Sequence, residues 1–124
     1  MSKHQERRSE WGDGVYIRIT PADPAAVKVD RPLALGADGL FGIPEGPVTT
    51  PESFRAGTAL KSTRVGETVV NLPGIGQIRD MGAMPAGVAE YGKVYYAAAT
   101  DTLSAAGAFH IGYRYGTKVL VRNN

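Results

Sequence analysis

The sequence predicts a mostly-β protein, a small antiparallel β-barrel or sandwich with an extended N-terminal arm and at most one short helix. Three observations carry that expectation. Short apolar runs alternate with polar residues at period two, as in strands with one buried face. Sixteen Gly and eight Pro in 124 residues exceed the average usage of about 7% and 5%, and they fall between those runs as turn formers. No segment sustains the apolar stripe of a long helix.

The elements follow in order. Residues 1–13, MSKHQERRSEWGD, are polar except for Trp11; such a composition cannot bury enough apolar surface to order itself, so they are expected to form a flexible arm. Residues 14–124 are expected to form a single β domain. In Val15-Tyr16-Ile17-Arg18-Ile19-Thr20, the residues Val15, Ile17 and Ile19 share one face, with Arg18 and Thr20 on the other. Val27 and Val29 alternate with Lys28 and Asp30. Leu33 and Leu35 follow Pro32, the position of a strand start or an edge. Gly36-Ala37-Asp38-Gly39 then signals a turn, after which Leu40-Phe41-Gly42-Ile43 resumes the β pattern.

Thr50 as N-cap, Pro51 at the first helical position and Gly57 as terminator predict a helix of one or two turns. Further strands are expected over residues 68–72, 76–79, 93–97, 110–115 and 118–122. In the last of these Val119 and Val121 face one way, Lys118 and Arg122 the other. The Ala-rich stretch 97–106 reads at least as well as a turn between strands as it does as a helix, because Thr100, Asp101, Thr102 and Ser104 interrupt any stripe. About eight short strands separated by turns imply a sandwich or barrel.

Composition bounds the function. The chain has no cysteine, so neither a disulfide nor a thiolate metal site is available, which fits a reducing compartment. No apolar run approaches the ~20 residues that span a bilayer, and the N-terminus lacks a signal-peptide core. The protein is expected to be made in the cytoplasm, to stay soluble and to have no membrane partner. The formal net charge is +2 with a sequence pI of about 9.0. The basic residues are spread along the chain, with one local group of Lys3, Arg7 and Arg8 interrupted by Glu6 and Glu10.

Catalytic constellations are hard to assemble. His4 and His110 lack the paired spacing of a metal site, so each is read as structural or superficial. Gly74-Ile75-Gly76-Gln77-Ile78-Arg79 has a G-x-G but no third glycine and no following helix, so it reads as a bend rather than a dinucleotide loop. Asp13, Asp23, Asp30, Asp38, Asp80 and Asp101 mostly stand beside Gly or Pro, where Asp forms turns. No catalytic residue, metal ligand or cofactor is assigned, and the chain is not expected to be an enzyme. Tyr91, Tyr95, Tyr96, Tyr113 and Tyr115 lie near Lys93, Arg114 and Lys118. Such a set can stack single-stranded nucleic acid on a small barrel, although aromatic residues are also good strand formers.

From Val15 onward the order of motifs resembles the head decoration, or capsid cement, proteins of tailed bacteriophages. Ile17-Arg18-Ile19-Thr20-Pro21-Ala22 is similar to that family's opening strand and T-x-P-like turn. The segment from Arg31 to Pro44, with Gly39-Leu40-Phe41-Gly42-Ile43, resembles its "V-x-x-G-x-L-F-G-V" hairpin. Gly66-Glu67-Thr68-Val69-Val70 matches a "G-E-x-V" strand, and Gly92-Lys93-Val94-Tyr95-Tyr96 precedes a threonine-rich turn at Thr100-Asp101-Thr102-Leu103. Ile111-Gly112 and Val119-Leu120-Val121-Arg122-Asn123 resemble its close. Residues 45–64 depart from the pattern as an insertion, and the segment between Gly112 and Val119 is shortened.

The resemblance implies a structural virion protein on the outer surface of a phage capsid, assembled in the host cytoplasm. It implies the major capsid protein as partner, self-association as a homotrimer, and no catalytic group. The arm residues Lys3, Arg7, Arg8 and Trp11 are the expected partner-binding group, with Trp11 as the aromatic anchor. The rival expectation is a β-barrel nucleic-acid-binding module using Arg7, Arg8, Lys93 and the tyrosines.

Overall fold

The computed structural model describes residues 14–60 and 62–122. Within them the chain runs through β1 (Val15–Ile19), a 3₁₀ turn (Pro24–Ala26), β2 (Leu33–Ala34), β3 (Phe41–Pro44), α1 (Pro51–Ala56) and β4 (Thr68–Leu72). It continues through β5 (Ile78–Arg79), β6 (Lys93–Ala97), β7 (Thr102–Ser104), β8 (His110–Tyr115) and β9 (Lys118–Val121). The strands make two antiparallel sheets, ordered β1-β4-β3-β2 and β5-β9-β8-β6-β7. The described residues are therefore mostly β with one short helix, as the sequence predicts. Both sheets are open, so no barrel closes. The folded body comprises two compact units, Val15–Leu72 and a second one holding residues 73–122. Among the described residues no helix is long and apolar enough to cross a membrane.

In the unit Val15–Leu72, the first and last strands are neighbours: Val15 stands opposite Leu72, Ile17 opposite Val70 and Ile19 opposite Thr68. The predicted hairpin pairs Leu33 with Gly42 and Ala34 with Phe41, and Leu35 N–H donates to Leu40 O at 2.8 Å across its turn. Phe41, Ile43 and Val70 are fully buried. Residues 45–64 carry α1, and their sequence explains the helix. Thr50 Oγ1 accepts from Ser53 N–H (3.0 Å) while Ser53 Oγ accepts from Thr50 N–H (2.9 Å), a reciprocal cap. Gly57 ends the helix in a left-handed conformation, φ 74°. Two buried threonines tie this segment down: Thr49 Oγ1 and Thr63 Oγ1 share a 2.6 Å hydrogen bond. A third, Thr68 on β4, donates to Gly46 O at 2.7 Å.

One alternating run does not become a strand. Val27-Lys28-Val29-Asp30 follows the 3₁₀ turn that Pro24 opens and Asp23 caps, its Oδ1 accepting from Ala25 N–H at 3.1 Å. Asp30 then takes a positive φ of 63°, and Val29 is exposed. Pro and Asp turn chemistry prevails over period two: Val27 N–H bonds back to Pro24 O and Arg31 N–H to Lys28 O, while Asp30 N–H reaches β3, at Pro44 O.

In the unit 73–122, one face of the sheet is buried through Val94 and Tyr96 of β6, Leu103 of β7, and Val119 and Val121 of β9. Met81 and Val88, on the long connection between β5 and β6, are buried with them. β8 lies inside the sheet, between β9 and β6. The stretch 97–106 is a turn followed by β7, a strand the sequence pattern does not single out. The glycine pair at 74 and 76 sits in the turn that leads into β5, with Gln77 N–H donating to Gly74 O at 3.3 Å.

Candidate docking surface

The opposite face of the second sheet is assembled by strand register. Lys93 stands opposite Tyr113, Tyr113 opposite Leu120, and Leu120 opposite Ile78. One row thus crosses four strands as Ile78, Leu120, Tyr113 and Lys93. Beside it, Tyr115 stands opposite Lys118. On the other side Tyr95 stands opposite His110, across a register shift between Val94 and Tyr95. That shift is a bulge: it adds one residue to β8, so His110 and Tyr113, three apart, reach the same face.

The rings at the centre are packed. His110 lies 5.4 Å from Tyr95 at a 50° tilt and 5.1 Å from Tyr113 at 81°, edge to face. Its Nε2–H donates to Gly112 O at 2.9 Å, which fixes the ring. Desolvation lowers the His110 pKa from its ordinary value; the Gly112 bond opposes this, and the charges of Arg122 and Lys93 reinforce it. Arg122 in turn donates through Nε to His110 O at 2.7 Å.

Three cations therefore rim an aromatic and aliphatic centre. Lys118 and Arg122 on β9 and just past its end are four residues apart, about 13 Å along a strand. Lys93 is two strands away from Leu120, about 10 Å across the sheet.

Charge accounting agrees with this geometry. Residues 73–124 contain five Lys or Arg and three Asp or Glu, so the whole excess of +2 arises there, while 1–14 and 15–72 are each neutral. The three carboxylates are engaged within their own surroundings. Asp80 accepts from Gly82 N–H at 3.2 Å, and Glu90 accepts from Gly116 N–H at 3.1 Å and lies 3.6 Å from Arg114. Asp101 accepts from the Tyr96 hydroxyl at 2.6 Å.

The structure brings together some of the residues marked in the sequence and separates others. Lys93, Tyr95, Tyr113, Tyr115 and Lys118 share the face, with His110 among them. Tyr96 does not: it is 5% exposed and sits edge-on to Phe109 at 6.2 Å. Arg114 points elsewhere and donates to Val88 O at 2.6 Å. Tyr91 occupies the turn before β6 with a positive φ of 64°. Leu120 and Ile78 were not grouped with the aromatics by sequence; alternation places Leu120 on the face of Lys118, but only the β5-β9-β8 register brings Ile78 and Tyr113 beside it. The arm residues Lys3, His4, Arg7, Arg8 and Trp11 lie outside the described residues, as does Asp13. Asp23, Asp30 and Asp101 all stand at turns, as their sequence contexts suggest.

A second feature belongs to the unit Val15–Leu72. A half-open cleft of about 410 Å³ lies between the end of β1 with the turn after it and β2 with its hairpin turn, lined mainly by Ile19, Pro21, Ala22, Ala26, Leu33 and Leu35. The carboxylate in its lining, Asp23, already caps the adjacent 3₁₀ turn.

Comparison of the chain with family models, curated proteins and solved structures gives no match.

Proposed function

We propose that this protein is a capsid decoration protein, which binds the outer surface of a phage head and bridges neighbouring major capsid proteins. The observation that carries the reading is the exposed face of β5-β9-β8-β6. It is a broad, open sheet surface with packed Tyr and His rings at its centre and cations around them, the residue types that dominate protein interfaces. Such a surface suits a large, flat partner better than a small molecule, which is usually held in a concave site. The motif order supports the same reading, since its segments coincide with structural joints. Gly39 to Pro44 forms the second half of the hairpin, Gly66-Glu67 turns into β4, Gly92 opens β6 and Thr100-Asp101 turns into β7.

In this proposal the protein acts by mass action. A ligand that binds only the assembled shell stabilises it, by about 2.7 kcal/mol per site at a hundredfold excess over Kd. Self-association as a trimer and docking by Lys3, Arg7, Arg8 and Trp11 are parts of the same proposal. The test is sedimentation of the protein with undecorated phage heads assembled from a major capsid protein. Saturable binding that raises the temperature at which the heads open is the expected result. Heads that neither bind it nor gain heat resistance refute the reading.

A further inference from the structure

We propose that the face carrying Lys93, His110, Tyr113, Lys118, Leu120 and Arg122 is a docking surface for an acidic protein segment. The chemistry of the partner is argued from this face alone; its identity as a segment of the capsid shell rests on the function proposed above. The inference begins with charge. Neither Lys93 nor Lys118 has an ion-pair partner among the described residues. Among the described residues, the charged neighbours that act on His110 are Arg122 and Lys93. The three carboxylates of residues 73–124 are each engaged by a backbone N–H or a tyrosine hydroxyl. Lys93 and Lys118 thus present positive charge that no ion pair among the described residues answers, and complementarity calls for an anionic partner.

The ring geometry decides between anionic partners. Single-stranded nucleic acid is held by aromatic faces that lie open to successive bases. Here His110 lies tilted at 50° to Tyr95 and edge to face with Tyr113 at 81°, so the three rings pack against one another and do not line up as parallel platforms. Beside them the apolar side chain of Leu120 stands opposite Tyr113. That is the profile of a protein hot spot, with an ordered apolar centre that excludes water and a charged rim. The spacing is also that of an extended chain. Lys118 and Arg122, about 13 Å apart, match side chains four residues apart on a strand laid along β9. The segment that fits carries Asp or Glu over Lys118 and an apolar residue beside it, over Leu120 and Tyr113.

The test uses the full chain and its Lys93→Glu/Lys118→Glu variant, both sites being exposed. An oligoglutamate peptide and an oligo-dT strand of equal length are titrated at low salt, with the His110 and Tyr113 ring resonances as readout. In parallel, both proteins are bound to undecorated heads. The proposal expects the peptide to shift those resonances in the wild type and not in the variant, and to outcompete oligo-dT. It expects the variant's affinity for heads to fall about tenfold or more, with the loss largest at low salt. Unchanged head binding by the variant overturns the docking surface and leaves the capsid function standing. Oligo-dT binding more tightly than the peptide overturns the assignment to a protein segment. Heads that do not bind the wild type refute only the capsid function, and the peptide titration then decides the inference by itself.

Discussion

Replacing Gly112 by alanine tests whether β8 is held at the separation described. In a strand, adding a Cβ to glycine normally stabilises by about 0.5–1 kcal/mol, because glycine loses more backbone freedom on folding. At Gly112 the added atom would fall well inside contact distance of the Leu120 carbonyl oxygen, and would stand 2.9 Å from Val119 Cγ1 and 3.0 Å from Val121 Cα. Two of these three are main-chain atoms of β9, and Gly112 is paired on both sides, to Val121 and to Val94. The strand cannot swing away from one neighbour without stretching its bonds to the other. Overpacking of this kind costs roughly 1–3 kcal/mol, and an obstacle made of backbone puts Gly112→Ala at the upper end. The net expectation is a destabilisation of about 2 kcal/mol, near 8 °C in Tm for a chain of this size. Urea titration followed by circular dichroism reads it directly. A variant with the wild-type midpoint, or a higher one, refutes the close approach of β8 and β9.

Two further outcomes follow from groups described above. Thr68→Val keeps the side-chain shape but removes the donor to the buried Gly46 carbonyl, so it lowers stability by about 1–2 kcal/mol in the same titration; an unchanged midpoint contradicts that hydrogen bond. The His110 pKa is lower in the folded protein than in the unfolded chain, so the unfolded state takes up a proton first as the pH falls. The stability contributed by the neutral ring is complete above the unfolded value of 6.5 and is lost as the pH drops below it. Urea midpoints at pH 7.5 and pH 5 should therefore separate for the wild type and draw closer in His110→Gln, whereas equal pH dependence in the two proteins removes His110 as the cause.

Local chemistry made much of the fold readable in advance. Val15 to Ile19 alternates cleanly, Pro32 and the 36–39 turn mark the hairpin, and Thr50, Pro51 and Gly57 fix the ends of α1. Each of these signals is satisfied within a few residues of itself. The candidate surface is different in kind. Plain alternation from His110 puts Gly112 and Arg114 on its face and sends Tyr113 to the other side, yet the bulge opposite Tyr95 brings Tyr113 back beside it. Ile78 and Leu120 meet only through the β5–β9 register, set by residues some 40 positions apart. A single sequence specifies such pairings through the energy of the whole sheet, which no local pattern displays. The stretch 27–30 shows the converse: Asp30 N–H reaches Pro44 O of β3 at 3.0 Å, yet the turn chemistry of Asp23 and Pro24 and the positive φ of Asp30 keep the alternating run from forming a strand.

The rung on which Val15 meets Leu72 gives the first unit the topology of a stitched loop: chain enters and leaves through the same doorway. Bringing those two residues together from a disordered chain costs about 3–4 kcal/mol in loop-closure entropy, more than any short hairpin within the unit. The β2–β3 turn and the β3–β4 rungs, with shorter spans, can form before it, and β1 is then the last strand to zip on. The same doorway makes the unit a natural cassette. Its ends, on adjacent strands about 5 Å apart, can be joined by a short linker and new termini opened elsewhere, such as after the helix stop at Gly57, without unpicking a single strand.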